Sequence, residues 1–525
     1  MMHAWFEERL GLRALMRAVL EKPVGAHVGW SQTLGSVACF LFFLQAATGV
    51  VLALYYVPTP SDAFAAVTAI HTEVTLGWLL RSIHRWGASL MVLAVILHLA
   101  RSFIHGAYKP PREPTWIAGV GLLVLTLTFG YTGYLLPWDQ RAYWATTVGM
   151  WIMASIPIAG PLLVRALGGL EVGGATLSRF FILHILLLPG ATFLLLVLHL
   201  YLVQRHGVAG PPGESPGPFK PFYPFHAAKD LAACLMAFAI LLVLAVWLGA
   251  PIDAPANPTD TTYLPKPEWY FLFLYEVLKF FAGRAMVVGT TLLPLAGLLV
   301  LAALPFIDRS EERRPLHRPL ALASGIALAG GLLYLTVVGE TSTPKPGVFL
   351  SPAGSLSPKM LAGMALFDEK GCQSCHSIQG IGMKLAPDLY RVGAKRDAEW
   401  LSRLLTDPKS VFPSPGMVKY TLVPEDLDAL VGYLAHLDPS RDLQSLPRAT
   451  VVGGAAIYRH GCLACHLAGG EGKKLGVALE EIKRKRDEKW LARYLEESRG
   501  HLPLPFPLTS QEVPAVVTYI QSLRK

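Results

Sequence analysis

The sequence predicts an all-α fold: a seven-helix transmembrane bundle followed by two small helical domains. Three observations lead there. Seven apolar runs, at 34–56, 77–103, 116–136, 179–203, 230–250, 286–306 and 319–338, each approach or exceed the roughly 20 residues that a bilayer crossing needs. Beyond residue 340 the composition becomes that of a soluble protein. That soluble part also repeats itself, with Gly371-Cys-Gln-Ser-Cys-His376 and Gly461-Cys-Leu-Ala-Cys-His466 standing 90 residues apart.

Composition agrees: 53% of residues are hydrophobic and the mean hydropathy is +0.42, values of a membrane protein. The net charge of +9 does not point to nucleic acid, because the basic residues follow topology. Arg9, Arg13, Arg17 and Lys22 precede the first run. Arg101, Lys109 and Arg112 follow the second, Arg205, Lys220 and Lys229 the fourth, and Arg309, Arg313, Arg314 and Arg318 the sixth. The stretch 57–76 has none. Cytoplasmic loops collect Lys and Arg, so the N-terminus is expected in the cytoplasm and the C-terminal domains on the outer, periplasmic side of a bacterial-type inner membrane. No cleavable signal peptide is evident, and the first run serves as the insertion signal. Residues 4–22 read either as an interfacial helix with Trp5, Phe6, Leu15, Met16 and Val19 on its apolar side or as a short cytosolic helix.

The runs begin to carry chemistry at their histidines. His84 and His98 are 14 residues apart on the second run, and His184 and His199 are 15 apart on the fourth. Either spacing keeps both imidazoles near one helix face, roughly 21–23 Å apart along the axis. The two helices run the same way, so His84 pairs with His184 and His98 with His199. A lone membrane histidine lines a proton path or binds a metal equally well, but four at this spacing fit two bis-histidine haem b groups. Gly35 and Gly49 on the first run, and Gly119 and Gly133 on the third, repeat the interval of 14. Missing side chains at that period let flat macrocycles lie close to neighbouring backbones, although a glycine pair alone commonly serves helix packing. Arg81 and Arg85 flank the outer histidine pair and are expected to neutralise haem propionates.

The segments Gly77-Trp-Leu-Leu-Arg-Ser-Ile-His-Arg-Trp86, Gly133-Tyr-Leu-Leu-Pro-Trp-Asp-Gln140 and Pro267-Glu-Trp-Tyr270 resemble cytochrome b of the quinol–cytochrome c reductases, over roughly residues 1–340. The 15-residue interval and the seven helices are similar to the chloroplast and cyanobacterial branch, with its separate companion subunit here fused. Thr33 stands where that branch has a haem-holding cysteine, which leaves an extra haem unsupported. Phe225-His-Ala-Ala-Lys-Asp230 resembles the mitochondrial and proteobacterial branch, where the Lys-Asp pair belongs to an inner quinone site, and His206 matches a position that approaches that quinone.

Two quinone sites follow from the chemistry and the resemblance together. Oxidising a quinol releases protons, so a base must stand where they can leave. Glu268, in the outside loop before the sixth span, is the candidate, with Pro267, Trp269 and Tyr270 around it and Tyr275 two turns on. Without the motif, a carboxylate at a helix start is ordinarily a cap or dipole partner. On the cytoplasmic side, His206 and Asp230 are expected to supply and orient protons for a quinone.

Expected domain limits are 1–33 for the N-terminal segment, 34–210 for the dihaem core and 211–340 for the three-helix part with the quinol loop. A Pro/Gly-rich tether spans 341–357, and the soluble repeats occupy 358–440 and 441–525. Cys-x-x-Cys-His is the covalent c-type haem signal, so Cys372 and Cys375, then Cys462 and Cys465, attach two haem c groups with His376 and His466 as axial ligands. Each repeat begins with a helical run (Ala362–Lys370, Ala455–His460) and ends with an amphipathic helix (Glu425–Leu437, Gln511–Leu523), and both resemble class I cytochrome c domains. In the first, Ser414-Pro-Gly-Met-Val-Lys-Tyr420 resembles the methionine loop, which makes Met417 the sixth ligand. The second has no methionine after His466, and its loop Gly500-His-Leu-Pro-Leu-Pro-Phe-Pro507 leaves two alternatives, His501 as ligand or five-coordinate iron. Cys39 and Cys234 fall in spans, so no disulfide is expected. The basic run Lys483-Arg-Lys-Arg486 reads first as a solvated face and second as a docking patch for an acidic acceptor.

The resemblance implies a quinol:cytochrome c oxidoreductase subunit that bifurcates electrons. One electron goes to a separate Rieske iron–sulfur protein, the c haems and a soluble cytochrome c or similar acceptor. The other crosses the b haems to the inner quinone, and the complex is a homodimer. The rival is a haem-bearing membrane anchor that relays electrons from a dehydrogenase without bifurcation.

Overall fold

The computed structural model describes the chain except for residues 1–8, 10–16, 18–19, 26, 214–216, 259–262, 264–265, 282–284, 286, 343–348, 353–356, 383–385, 412–416, 418, 441, 499–507, 511 and 524–525. The described residues pack as two units. One comprises Met1–Asn257, Lys266–Leu274 and Val287–Val337, and the other Pro258–Pro265, Tyr275–Met286 and Val338–Lys525.

Seven helices of the described residues are long and apolar enough to cross a membrane: Trp30–Ala53, Gly77–Ile104, Glu113–Tyr134, Gly174–His206, Phe222–Trp247, Val288–Ile307 and Pro319–Thr341. They match the seven expected runs, the fifth beginning earlier than residue 230. The first span packs on the second, the third on the fourth, and the fifth against the second. Strand β1 (Pro23–Gly25) pairs antiparallel with β2 (Phe219–Pro221) and ties the N-terminal segment to the loop before the fifth span. The interfacial helix expected at 4–22, with Trp5, Phe6, Leu15, Met16 and Val19, lies mostly outside the described residues.

Three shorter helices were not anticipated: α1 (Ala63–Thr72), α2 (Gln140–Ala154) and α3 (Ala159–Leu167). Asp139 caps α2 by accepting from the Ala142 N–H at 2.8 Å, the ordinary way of satisfying a first-turn donor.

A buried polar network joins the loop after the second span to the loop between the sixth and seventh. Asp308 lies 2.7 Å from Lys109 Nζ and 3.1 Å from Arg318 Nη1, and Arg318 also donates to the Phe103 and Ile104 carbonyls at 3.0 and 2.9 Å. Lys109 and Arg318 are only 3% and 7% exposed. Removing one partner of such a set strands buried charge. Asp308→Ala should therefore cost about 3–5 kcal/mol, read as a lower unfolding midpoint in detergent. Burial alone would raise the Asp308 carboxyl, but hydrogen bonds from Lys109, Tyr108 and Arg318 outweigh it and hold it below its ordinary value. A folded value below the unfolded one means the contribution is complete above the ordinary carboxylate range and is lost as pH falls through the depressed value.

The second unit is built on the sequence repeat. Helix α4 (Leu272–Leu278) runs from the first unit into it. Helices α5 (Pro358–Glu369), α6 (Ala398–Thr406) and α7 (Pro424–Ala435) form one domain. Helices α8 (Arg448–Arg459), α9 (Glu488–Ser498) and α10 (Glu512–Ser522) form the other. Gly363 and Gly453 occupy equivalent crossings: a Cβ would stand 2.1 Å from the Ala429 carbonyl in the first domain and 2.0 Å from the Ala515 carbonyl in the second. Arg396 covers Trp400 and Arg486 covers Trp490, each at 4.5 Å. The offset between repeats is 90 at the tryptophans but 86 at these carbonyls, so the second domain loses its four residues between Trp490 and α10.

The two domains share one core, in which Leu361, Phe367, Tyr433, Val451, Ile457 and Tyr519 are buried together. Arg459 holds Glu369 with two bonds of 2.9 and 2.8 Å. The expected tether at 341–357 is corrected in part: β3 (Phe349–Pro352) pairs antiparallel with β4 (Leu443–Leu446) between the repeats. The backbone groups that β3 turns toward β4 are taken up in the ladder, so β3 belongs to the folded module.

Candidate haem and quinol sites

The four membrane histidines meet as expected. Ring centres of His84 and His184 are 6.3 Å apart, and those of His98 and His199 are 6.4 Å apart. An imidazole nitrogen binds a transition metal at about 2.0–2.1 Å, and adding roughly 1.1 Å from nitrogen to ring centre on each side gives about 6.2–6.4 Å across one metal. Both pairs are thus spaced for a shared metal. The extra residue on the fourth span is absorbed by a π-helical turn, Leu183–Leu187, around His184. Such turns insert one residue without ending the helix, which lets intervals of 14 and 15 yield matching pairs.

The glycines meet the imidazoles themselves, a sharper role than clearance for a macrocycle. A Cβ on Gly49 or Gly35 would stand 3.2 Å from His84 or His98 Cε1; on Gly119 it would stand 3.4 Å from His199 Cε1, and on Gly133 2.5 Å from His184 Cε1. Thr48 Oγ1 donates to the Leu44 carbonyl and lies 2.8 Å from His84 Nδ1. Thr132 Oγ1 donates to the Thr128 carbonyl and lies 3.1 Å from His184 Nδ1. With its proton committed, each hydroxyl accepts from Nδ1–H, which leaves Nε2 free for a metal. No pattern in the sequence singles out these threonines.

The attachment motifs are built alike. Gly371 and Gly461, at φ 64° and 72°, turn the chain out of α5 and α8 into the cysteines. His376 Nδ1 donates to the Pro387 carbonyl at 2.8 Å, and His466 Nδ1 to the Val477 carbonyl at 2.7 Å. Both rings again keep Nε2 for a metal. Met417 packs, partly buried, against the core of the module, and His501 lies outside the described residues.

Glu268 is placed by the segment around Pro137. Trp138, at φ 53°, starts a clamp in which the Gln140 N–H donates to the Ala254 carbonyl at 2.8 Å and the Asn257 N–H to Gln140 Oε1 at 2.8 Å. Tyr134 OH donates to the Lys266 carbonyl at 3.4 Å, and a Cβ on Gly130 would meet Tyr270 OH at 2.7 Å. Glu268 Oε1 then stands 3.6 Å from Arg85 Nη2 and 3.9 Å from Arg141 Nη2. Both distances exceed a hydrogen bond, so the two guanidiniums pair with the carboxylate in charge without a hydrogen bond. Arg85 thus has a partner other than the expected propionate, and Arg141 was missed although it directly follows the Pro-Trp-Asp-Gln signal. Pro267 and Trp269 flank Glu268, and Tyr275 belongs to the second unit, with Lys279 Nζ 4.6 Å from its ring centre.

The candidates for the second quinone site have separate partners. The His206 carbonyl accepts from Arg112 at 3.1 Å, with its Nδ1 buried and unbonded. Asp230 lies 3.6 Å from His226 Nε2, and Lys229 donates to the Val28 carbonyl at 2.9 Å. His226 was overlooked, although its i,i+4 spacing to Asp230 is a helical pairing signal.

The Cytochrome b/b6/petB family matches residues 19–207, Cytochrome b(C-terminal)/b6/petD residues 255–357, and Cytochrome c residues 360–438 and 451–524. The cytochrome bc complex cytochrome b subunit of Chlorobaculum thiosulfatiphilum is 41% identical over 342 residues, covering 63% of this chain and 79% of that protein. Cytochrome b6 of Acaryochloris marina is 47% identical over 208 residues, covering 39% of this chain and 97% of that protein. A solved structure described as hyperthermophilic respiratory Complex III is similar at a TM-score of 0.59 and 32% identity, over 65% of this chain and 92% of that one. The chain therefore belongs to the cytochrome b family of the cytochrome bc complexes, as an electron-transport oxidoreductase subunit that carries two cytochrome c domains on the same polypeptide.

Proposed function

We propose that the chain is the quinol-oxidising subunit of a quinol:cytochrome c oxidoreductase. It would hold two haem b groups between His84 and His184 and between His98 and His199, and two haem c groups on Cys372/Cys375 and Cys462/Cys465. The observation that carries this reading is the pair of imidazole separations, 6.3 and 6.4 Å, on the same bundle as a carboxylate flanked by two guanidiniums. When bound, the haems supply one-electron relay, haem b across the membrane and haem c outside it.

The chain's own groups handle protons and charge. Glu268 accepts a quinol proton, and Arg85 and Arg141 face its carboxylate with opposite charge and aim it. At the other face, His206 and Asp230, now with His226, deliver protons to a quinone. The reaction sends one electron of each quinol through a Rieske iron–sulfur protein toward a soluble cytochrome c or similar acceptor, and the other across the membrane, with proton translocation. Met417 serves as sixth ligand in the first c domain, and His501 or an open position serves in the second. The N-terminus is cytoplasmic, the c domains are periplasmic, and the complex is a homodimer. The test is quinol-driven reduction of soluble cytochrome c by the purified complex. Activity with a copurifying Rieske protein is expected, whereas a dehydrogenase partner and no Rieske protein would favour the anchor reading.

A further inference from the structure

Two side chains near the start of the second span carry buried nitrogens that bond to none of the described residues. They are Nε and Nη2 of Arg81 and Nδ1 of His71. A buried donor without an acceptor costs about 1–3 kcal/mol, and more when charged, so native structures supply a partner at such places.

The fold brings the two residues to one place. His71 lies in the last turn of α1, and the carbonyl of its neighbour Ile70 stands 1.9 Å from where a Gly77 Cβ would be. Only glycine permits that approach, and Leu76, at φ 57°, makes the reversal between the helices. Arg81 is one turn beyond Gly77 and three residues before His84, on the face that carries the imidazole. The nearby carboxylates are engaged elsewhere. Asp139 accepts from the Ala142 and Asp253 N–H groups at 2.8 and 3.3 Å, Glu268 faces Arg85 and Arg141, and Glu73 is exposed. A histidine in a C-terminal turn ordinarily complements the helix dipole as a cation. Burial and the charge of Arg81 instead hold His71 below its ordinary value, which suits a neutral donor.

We propose that His71 and Arg81 together bind one carboxylate, a propionate of the haem held by His84 and His184, with His71 as a positioning residue for it. This rests on the reading that a haem occupies that pair. Arg81 supplies a charge-assisted fork and His71 the additional N–H. Removing the histidine donor leaves more negative charge near the iron and favours the oxidised state.

The test is a redox titration of both b haems in His71→Leu and His71→Gln, in the full complex, with haem content checked by pyridine haemochrome. In His71→Leu the midpoint of the His84/His184 haem should fall while that of the His98/His199 haem holds. His71→Gln, which keeps an N–H, should stay near wild type. An unchanged midpoint in His71→Leu, or an equal shift of both haems, would overturn the proposal. So would a wild-type midpoint that moves when chloride is withdrawn, since the partner would then be a solvent anion. Absence of the His84/His184 haem from the wild type would refute the underlying reading instead, and none of these readouts depends on Glu268.

Discussion

Gly133→Ala is expected to remove the haem proposed between His84 and His184 and spare the one proposed between His98 and His199. The added Cβ would stand 2.5 Å from His184 Cε1 and 3.1 Å from both ring nitrogens. The ring escapes only by leaving the Thr132 hydroxyl 3.1 Å away, and with it the geometry that aims Nε2. Gly119→Ala is the control on the same helix. Its Cβ would lie 3.4 Å from His199 Cε1, an ordinary contact, and alanine is favoured over glycine in a helix interior by about 0.8–1 kcal/mol. The readout is the ratio of b-type to c-type haem by pyridine haemochrome. It should halve in Gly133→Ala and hold in Gly119→Ala; equal losses would show that the imidazole contacts do not decide occupancy.

Glu268→Gln should slow quinol oxidation by about 10²–10⁴-fold, the usual worth of a positioned base, with all haem spectra intact. Glutamine preserves size and hydrogen bonding but takes no proton at neutral pH, and it leaves Arg85 and Arg141 without their shared counter-charge. Unchanged turnover would remove Glu268 from the role. Turnover lost together with b-haem absorbance would mean a structural role.

The seven spans and the four-histidine pairing were legible in the sequence because each follows from a period. Apolar length marks a bilayer crossing, and intervals of 14 and 15 mark a helix face. The Cys-x-x-Cys-His repeats were legible because the chemistry fixes their spacing. What escaped depends on distance through space. Arg141 reaches Glu268 only because Trp138 and Gln140 fold their segment onto 254–257. Thr48 and Thr132 matter only once spans one and two, and three and four, are packed. The π-turn at Leu183–Leu187 leaves no compositional trace beyond one extra residue between His184 and His199. Strands β3 and β4 are four residues each, too short for a periodic signal, so the Pro/Gly-rich composition around β3 reads as tether.

The proposed reaction divides the electrons of one quinol between two routes. It is tested by single-turnover mixing of quinol with the oxidised complex, including its Rieske protein, while the quinone-reducing side is inhibited and b-type and c-type absorbance are followed together. Bifurcation predicts that b and c haems become reduced concurrently and in equal electron amounts. Reduction of the c haems while the b haems stay oxidised would contradict it.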